Sequence, residues 1–444
     1  MPTPLLIYPP FCTPASPPYS LTHLNTKLGN KCEILDLNVR FHNLKFSQYG
    51  KYFRQGNWNR KEYAKQCKEY DYLSGKCYAE NNKKIIHQEI PELFNELLQE
   101  ILLRKPKVVG FSLVYSSQVF YTYALIKELK QKNIRCFVGG PAVTHQLAEI
   151  AETDFSEFMQ EKLLPLVFSV FNSKDYFTPE LVIPLKTCSA CTHQRCAFCT
   201  HHQHLKYEEF DLEWIKQSLI KSNSKKVFFI DDMISKKRLL ELADTIKSLN
   251  INWMCQLRPT KELDKDTLKK LYDSGARALF WGIESGSDRI LKLMNKGTNT
   301  KEIVKVLQDA HELGIKNICY ILFGFPTENK QEFLETVLFL EKNRENIDLL
   351  SLSNFGLQKG AIIFEHPEKF GIAKIEVIER TLLEPKISFT VKEGLTAEEL
   401  SRLRKEYRHR LSKLNKLPQG MNFFREHTLT GCYSQVVSKR NVYK

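Results

Sequence analysis

The most constraining feature of the sequence is a series of apolar segments that begins near Ile183, with one helical stretch between successive segments. Each starts with apolar residues and ends in polar residues or glycine, which is typical of the strands of a βα barrel. The active site of such a barrel lies at the carboxyl ends of its strands. Six segments predict a partial barrel, and they read IPLK, KKVFFIDD, INWMCQLR, ARALFWGIES, IKNICYILFGFP and IDLLSLSNFGL.

The first 140 residues alternate strand and helix in a separate pattern. Short apolar runs at residues 5–8, 32–37, 107–114 and 135–140 are separated by helical stretches. Buried strands that alternate with helices predict a parallel, doubly wound sheet of the Rossmann type. Ligands of such sheets bind outside the carboxyl ends of the strands. The loops PPF, SLVYSS and GGP stand at those ends.

Two further segments lie within or after this first sheet. Residues 40–70 combine eight aromatic residues with eight basic ones. We interpret them as part of a helical insert over about residues 40–90 whose aromatic side chains form a core, although such residues can also stack on single-stranded RNA. Residues 142–182 are predicted to be mostly helical.

The charge of the chain is concentrated in two places. The formal net charge is +14, and residues 40–70 hold eight Lys or Arg against two Glu, whereas residues 386–444 hold thirteen against five. The rest of the chain is therefore neutral. Thr396 and Glu399 form a capping-box pattern at the start of a basic tail helix. This tail predicts a docking surface for an acidic peptide, RNA or a phosphorylated metabolite.

The cellular compartment follows from two absences. No secretion signal is visible, since the first basic residue is Lys27, and the longest uncharged run, residues 108–126, is broken by serine, threonine and glutamine. We therefore predict a cytoplasmic protein with no membrane span.

Four of the twelve cysteines lie within twelve residues, in LKTCSACTHQRCAFCTHHQH. Such clustering in a chain without a secretion signal predicts a metal centre. Four thiolates would close a zinc site or saturate an iron–sulfur cluster, whereas three would leave one iron of a [4Fe–4S] cluster open. Because the cysteines follow the strand IPLK, they belong to the catalytic face of the barrel. This position favours a catalytic cluster over a structural zinc.

The spacing Cys191-x4-Cys196-Ala-Phe-Cys199 resembles the cysteine motif of the radical S-adenosylmethionine (SAM) superfamily, with one residue more than the usual spacing. FFIDDM, WMCQLRP, FWGIESGSDRILKLMNKGT and GFPTE resemble successive strand ends of that barrel. IYPPFCTPASPPYSL, EILDLN, VVGFSLVYSS and FVGGP resemble the cobalamin-binding domain that precedes the barrel in one subgroup. The resemblance covers most of the chain.

The resemblance implies an α/β fold in three parts. A Rossmann-like cobalamin-type domain would occupy residues 1–165, and a partial (β/α)6 radical SAM barrel of the TIM type would occupy residues 175–375. A small, basic, helical extension would follow over residues 376–444.

The resemblance also implies the metal ligands. Cys191, Cys196 and Cys199 would hold the [4Fe–4S] cluster, while the competing set begins at Cys188 and resembles a longer spacing of some relatives. The histidines at 201, 202 and 204 stand beside the motif and are interpreted as solvated or structural.

A set of cofactor-binding residues follows from the resemblance and from the strand ends. Glu284 and Arg258 are the predicted catalytic residues, and both would bind the polar groups of SAM. The other predicted SAM-site residues are Phe198, Asp231, Asp232, Gly324 and Glu328. The predicted cobalamin-binding residues are Pro10, Ser112, Ser116, Gly139 and Gly140.

The expected function is that of a radical SAM enzyme, with methylation of an unactivated carbon through cobalamin as the leading reaction. Reduction of the iron–sulfur cluster would need a partner protein such as ferredoxin or flavodoxin. No Asp-x-His-x-x-Gly motif occurs within residues 1–165, so cobalt would bind without a protein histidine. Rearrangement, cyclisation or methylthiolation without cobalamin are alternatives, as is an RNA- or protein-binding module with a structural metal.

Overall fold

A computed structural model describes residues 3–160, 163–200 and 206–430. Near the N-terminus it contains a four-stranded sheet of order β2-β1-β3-β4, in which every neighbouring pair is parallel. The four predicted strands are thereby confirmed, and β1 is buried along its whole length. The strands are β1 (Leu5–Tyr8), β2 (Glu33–Asp36), β3 (Val108–Ser112) and β4 (Arg135–Gly139).

Seven helices accompany this sheet, and three of them build the helical insert. Asn59 begins the longest one by accepting hydrogen bonds from the backbone N–H groups of Lys61 and Glu62. The insert's aromatic residues Phe53, Tyr63 and Tyr70 are fully buried, and they belong to one core cluster with residues of both sheets rather than to a core of the insert alone. The helices are α1 (Tyr19–Lys27), α2 (Leu37–Lys45), α3 (Ser47–Phe53), α4 (Arg60–Ile86), α5 (Phe94–Leu102), α6 (Val119–Gln131) and α7 (His145–Ile150).

The second sheet has six parallel strands, as predicted, in the order β12-β11-β10-β9-β8-β5. β6 and β7 form a separate antiparallel ribbon beside the cysteine motif. The strands are β5 (Val182–Leu185), β6 (Cys188–Ser189), β7 (Glu208–Glu209), β8 (Lys226–Phe229), β9 (Asn252–Leu257), β10 (Ala276–Glu284), β11 (Lys316–Phe323) and β12 (Leu349–Asn354).

Helices separate these strands and begin at polar caps, as at Ser235, Asp264 and Asn329. The predicted capping box of Thr396 and Glu399 begins the last helix. Within the described ranges, no helix is both long and apolar enough to cross a bilayer. The helices are α8 (Leu212–Ser222), α9 (Lys236–Ile246), α10 (Lys265–Asp273), α11 (Asp288–Leu293), α12 (Thr300–Glu312), α13 (Lys330–Lys342), α14 (Ile362–Glu365) and α15 (Ala397–Ser412).

Two segments differ from the sequence analysis. The prediction that residues 142–182 are mostly helical is wrong, because α7 is the one α-helix of its described part and spans six residues. Apolar residues there, such as Phe155, Leu166 and Phe168, pack in separate hydrophobic clusters rather than along one helix face. The C-terminal extension also contains an antiparallel hairpin of β13 (Ile372–Ile378) and β14 (Lys386–Val391), which is largely exposed and therefore lacks a continuous apolar signature.

The six-stranded sheet ends at two edge strands, β5 and β12, which do not pair with each other. Residues 419–430, which we call the C-terminal segment, lie near both edges. Asn422 donates a hydrogen bond to the carbonyl of Leu350 in β12 (2.8 Å), and His427 Nε2 donates to the carbonyl of Phe177, ahead of β5 (2.8 Å). The segment therefore covers the open side of the partial barrel.

We predict that the packing of the C-terminal segment depends on Phe424. Phe424 is fully buried against Phe53 and Tyr70, whereas its neighbour Phe423 is 37% exposed. Phe424→Ala should lower the free energy of unfolding by about 3–5 kcal/mol because it leaves a cavity. Phe423→Ala, the matched control, should cost about 1 kcal/mol or less. Equilibrium urea unfolding of both variants checks this, and equal losses would contradict the packing.

Candidate active site

A cavity opens at the carboxyl ends of the barrel strands. It brings together side chains from the cysteine motif, from the ends of β9 and β10, and from the loop after α11. The residues that line it are Cys191, His193, Cys196, Phe198, Cys199, Asp232, Met233, Gln256, Leu257, Arg258, Phe280, Gly282, Glu284, Lys296 and Tyr320. Parallel strands place their carboxyl ends at one edge, which is why residues so distant in sequence meet here.

The cysteines divide into two groups. Cys191, Cys196 and Cys199 line the cavity. Cys188 is buried, and its thiol lies 3.2 Å from Asp231 Oδ1, to which it donates a hydrogen bond. Burial, reinforced by Asp231, raises the pKa of the Cys188 thiol well above its usual range. The Cys188 thiol therefore contacts Asp231, and Cys188 does not line the cavity.

The three cavity cysteines suit a cluster better than a single ion. Across the described ranges, no three His, Cys, Asp or Glu side chains converge closely enough to bind one metal ion. A [4Fe–4S] cluster is bound differently, because each cysteine ligates a different iron. Three thiols spread around one cavity therefore fit a cluster with one open iron.

A buried ion pair lies beside these thiols. Lys296 Nζ is 2.7 Å from Glu284 Oε1, and their side chains are only 10% and 13% exposed. Glu284 ends β10 where the register with β11 shifts, and its φ of +69° is unusual for a residue with a side chain. This irregular backbone turns the strand end toward Lys296.

Lys296 also interacts with the cysteine motif. Its ammonium lies 5.6 Å from the centroid of the Phe198 ring. Burial lowers the pKa of Lys296, but Glu284 and Cys196 more than offset this effect, so the pKa lies above its ordinary value. Burial raises the pKa of the Cys196 thiol, and Lys296 opposes that increase. Lys296 therefore pairs with Glu284 and favours the thiolate form of Cys196.

Arg258 and His193 are held against the loop of Asn295 to Gly297. Arg258 Nη1 donates to the carbonyl of Lys296 (3.1 Å), and His193 Nε2 donates to the carbonyl of Asn295 (2.8 Å). A Cβ on Gly297 would lie 3.0 Å from both side chains, so glycine permits this close approach. Arg258 Nε is buried without a hydrogen-bond partner. An orphaned donor beside the cavity fits an anionic ligand group.

Three predicted SAM-site residues do not line the cavity. Asp231 accepts hydrogen bonds from the backbone N–H groups of Thr187 and Cys188 (2.7 and 2.8 Å), which ties the cysteine motif to the end of β8. Burial raises the pKa of Asp231 to about 6. A Cβ on Gly324 would lie 2.3 Å from the side chain of Leu400 in α15. Gly324 therefore permits α15 to pack closely.

Glu328 is the third of these residues. Its side chain is buried and accepts the backbone N–H of Gly324 at 2.5 Å through Oε2, while Oε1 has no partner. Burial raises the pKa of Glu328 to about 7. These contacts give Glu328 a role in the loop after β11.

The predicted cobalamin-binding residues lie at the carboxyl edge of the N-terminal sheet. Pro10 follows β1, Ser112 ends β3 and Gly139 ends β4, and these three strands are neighbours. Ser116 begins the 3-10 turn after β3, and Gly140 follows Gly139. Ser112 Oγ donates to Ser20 Oγ (2.8 Å) in α1. The predicted residues therefore share one edge. The predicted histidines at 201, 202 and 204 lie outside the described residues.

Sequence reasoning missed Lys296, His193, Gln256 and Tyr320. Gln256 and Tyr320 alternate with apolar neighbours inside strands, and Tyr320 donates to Gln256 Oε1 (3.0 Å). Their period-two position on the inner face is the signal that could have identified them. Lys296 carries no such signal, because it belongs to a loop beyond α11.

The basic residues of α15 are partly used inside the fold. Arg404 donates to Ser353 and Asn354 at the end of β12, and Arg410 pairs with Glu341 at 2.7 Å. Arg402, Lys405 and Arg408 remain exposed.

Comparisons with known proteins agree with this geometry. The Radical SAM superfamily model matches residues 185–340. An uncharacterized methyltransferase of Pyrococcus horikoshii is 29% identical over 122 residues, which cover 27% of this chain and 26% of that protein. Bacteriochlorophyllide d C-12(1)-methyltransferase of Chlorobaculum tepidum is 28% identical over 182 residues, which cover 38% and 40%. The matches thus span less than half of these relatives.

One solved structure is similar over most of the chain. It is the radical S-adenosylmethionine methyltransferase TsrM from Kitasatospora setae, with cobalamin and a [4Fe–4S] cluster bound. The TM-score is 0.55 at 15% identity, and the match covers 86% of this chain and 82% of TsrM. At this identity the likeness establishes the fold, which confirms the predicted combination of an N-terminal Rossmann-like sheet with a partial radical SAM barrel.

We predict that Lys296 and Glu284 are energetically coupled. Lys296→Met should lower the free energy of unfolding by about 3–5 kcal/mol, because Glu284 would be left as an unpaired buried charge. The double variant Lys296→Met/Glu284→Gln should recover part of that loss. Lys292→Met is the control, since Lys292 is exposed in the same stretch. Urea unfolding of all four proteins measures the coupling, and strictly additive losses would refute it.

A second prediction concerns pH. Glu328 titrates near 4.5 when unfolded but near 7 when folded. Its neutral form therefore contributes stability fully below about pH 4.5, and this contribution disappears as the pH rises through 7. Glu328→Gln should remove up to about 3 kcal/mol of that pH dependence. Unfolding midpoints across this window measure it. Exposed Glu365 offers the control Glu365→Gln, and a Glu328→Gln profile identical to the wild type would contradict the assignment.

Proposed function

The chain is a member of the radical SAM superfamily through residues 185–340, and from this premise we propose that it is a SAM-dependent radical enzyme that methylates an unactivated carbon. The observation that carries the proposal is one cavity lined by Cys191, Cys196, Cys199, Glu284 and Arg258. Two of the curated relatives carry methyltransferase names, which supports methyl transfer. Others are named as a tRNA-2-methylthio-N(6)-dimethylallyladenosine synthase and a putative methylthiotransferase, so methylthiolation is the second candidate reaction.

In this proposal Cys191, Cys196 and Cys199 bind a [4Fe–4S] cluster and leave one iron to SAM. When bound, the cluster and SAM supply one-electron reductive cleavage and a methyl group. Cys188 stays outside the ligand set, because its thiol is committed to Asp231. The proposed N-terminal part is residues 1–165, the barrel 175–375 and the extension 376–444.

The other cavity residues would bind and orient SAM. Arg258 would donate its orphaned Nε–H to the carboxylate of SAM. Glu284 would accept hydrogen bonds from the amino or hydroxyl groups of SAM, held in place by Lys296. Phe198 and Phe280 add apolar walls that exclude water from the reacting groups. Asp232 is proposed as a further acceptor at the rim.

We propose that cobalamin binds at the carboxyl edge of the N-terminal sheet, by analogy with TsrM, whose structure contains it. No histidine is proposed as a cobalt ligand. Burial lowers the pKa of His42 to about 3, and its Nδ1 bonds Tyr70. His23 stacks on Phe210, and burial lowers its pKa to about 4. Pro10, Ser112, Ser116, Gly139 and Gly140 would instead contact the corrin through loops.

An enzyme of this class needs an electron donor, and ferredoxin or flavodoxin is the proposed partner. The cysteines in the described ranges are free thiols, which suits a reducing compartment such as the cytoplasm. The exposed residues Arg402, Lys405 and Arg408 are the part of the basic tail helix proposed to meet an acidic partner.

The proposed function is tested by measuring cluster content and SAM cleavage in variants of Cys188 and of the three proposed ligands. After anaerobic reconstitution, wild type and Cys188→Ser should bind about four iron and four sulfide per chain. Alanine at Cys191, Cys196 or Cys199 should abolish the cluster. Reduced wild type should convert SAM to 5′-deoxyadenosine or S-adenosylhomocysteine, and the three alanine variants should not. Colourless wild-type protein would overturn the proposal, whereas cluster loss in Cys188→Ser with retention in Cys191→Ala would shift the ligand set.

A further inference from the structure

The C-terminal segment reaches the interior of the partial barrel. Its Thr428 lies 3.1 Å from the sulfur of Met254, and Met254 belongs to the same core cluster as Phe228 and Phe280 of the neighbouring strands. The other side of the segment is held by Tyr63, whose hydroxyl donates to His427 Nδ1 (2.8 Å). The segment is therefore a fixed wall of the barrel interior.

This wall places Arg425 next to the active-site cavity. The guanidinium carbon of Arg425 lies 5.6 Å from the ring centroid of Tyr320, and Tyr320 lines the cavity together with Cys191, Cys196 and Cys199. Burial raises the pKa of Tyr320 to about 12, and Arg425 opposes this increase. Arg425 is thus electrostatically coupled to a cavity residue.

Arg425 also faces the N-terminal domain. The segment's Glu426 accepts a hydrogen bond from Ser16 Oγ at 2.9 Å, in the stretch after β1. Burial, with smaller contributions from Cys12 and Glu426, raises the pKa of Tyr115 after β3, and Arg425 again opposes the increase. Arg425 therefore lies between the cavity and the carboxyl edge of the N-terminal sheet.

Arg425 does not form a close ion pair with a carboxylate of the described residues. In the described part of the chain, arginine ion pairs form at seven positions, and Arg425 is not one of them. Adjacent Glu426 accepts a hydrogen bond from Ser16 instead, and burial raises the pKa of Glu426, although Arg425 opposes that increase. A half-buried arginine against an aromatic ring is well suited to binding a carboxylate or phosphate in a two-pronged manner.

We propose that Arg425 binds an anionic group of the substrate, a carboxylate or a phosphate, at the boundary between the cavity and the N-terminal domain. The inference rests on the proposed function, because it assigns the anion to the molecule that is methylated. It makes the C-terminal segment a specificity-determining part of the active site.

The experiment measures binding rather than turnover, so it can fail independently of the proposed reaction. Inorganic phosphate and acetate are titrated calorimetrically into the full chain, saturated with SAM to fill the site at Arg258. Arg425→Gln should weaken binding of at least one anion about tenfold or more, and Arg425→Lys less. The exposed Arg380 between β13 and β14 supplies the control Arg380→Gln, which should bind like the wild type. Equal affinity in Arg425→Gln, or no anion binding by the wild type, would overturn the proposal.

Two further measurements use the wild-type protein, so they do not depend on the folding of a variant. They also distinguish an anion of the substrate from the phosphate of cobalamin. Phosphate should slow phenylglyoxal modification of Arg425 in the wild type but leave that of Arg380 unchanged at matched ionic strength. Protection should persist after loading with hydroxocobalamin. If cobalamin abolishes anion binding at Arg425, the site belongs to the phosphate of that cofactor and the proposal is wrong. An Arg425 that phosphate does not protect also refutes it.

Discussion

The open side of the six-stranded sheet is the constraint on which the rest of the structure depends. A closed barrel pairs every strand, but here β5 and β12 are edges. Unpaired backbone groups and interior apolar residues at such a gap must be covered, because exposed parallel sheets are unstable in water. The cover comes from two distant parts of the chain: α4 of the helical insert supplies Tyr63, and the C-terminal segment supplies Met421 and Phe424.

This arrangement explains why the aromatic residues of the helical insert are buried. Phe53 packs 4.5 Å from Phe424, and Trp58 lies 4.6 Å from His427. His427 donates to the Phe177 carbonyl and accepts from Tyr63, so it must be neutral, and burial lowers its pKa to about 3. The insert, the edge of the barrel and the C-terminal segment therefore share one core, and the basic residues of the insert stay at its surface.

The sequence was sufficient to predict all ten strands of the two parallel sheets, because each is a short apolar run ended by polar residues or glycine. The same rule located Glu284, Arg258 and Asp232, which follow strands and line the cavity. Asp231 and Glu328 also stand at strand ends but do not line the cavity, since a strand-end acid can equally turn back to accept hydrogen bonds from backbone N–H groups. Successive residues at a strand end point in different directions, and the sequence does not record which one faces the cavity.

Lys296, His193 and Arg425 were beyond sequence reasoning for a related reason. Each reaches its site from a loop or a 3-10 turn, whose path depends on tertiary contacts rather than on periodicity. The loop that carries Lys296 is held by Arg258 and His193, and the turn that carries Arg425 is held by the covered edge of the sheet. Such residues become predictable only once the packing is known.

The electrostatics of the cavity connect these parts. Cys196 is half-buried, and its raised pKa favours a neutral thiol, yet a thiol must lose its proton to bind iron. Lys296 and Arg258 are the cations beside it, while Glu284 neutralises much of the charge of Lys296. Binding of a cluster here would therefore release protons and would be favoured by Arg258 and by the residual positive charge of Lys296. Lys296 and Glu284 thus satisfy each other's charge inside the protein. Lys296 still lowers the free-energy cost of forming the Cys196 thiolate.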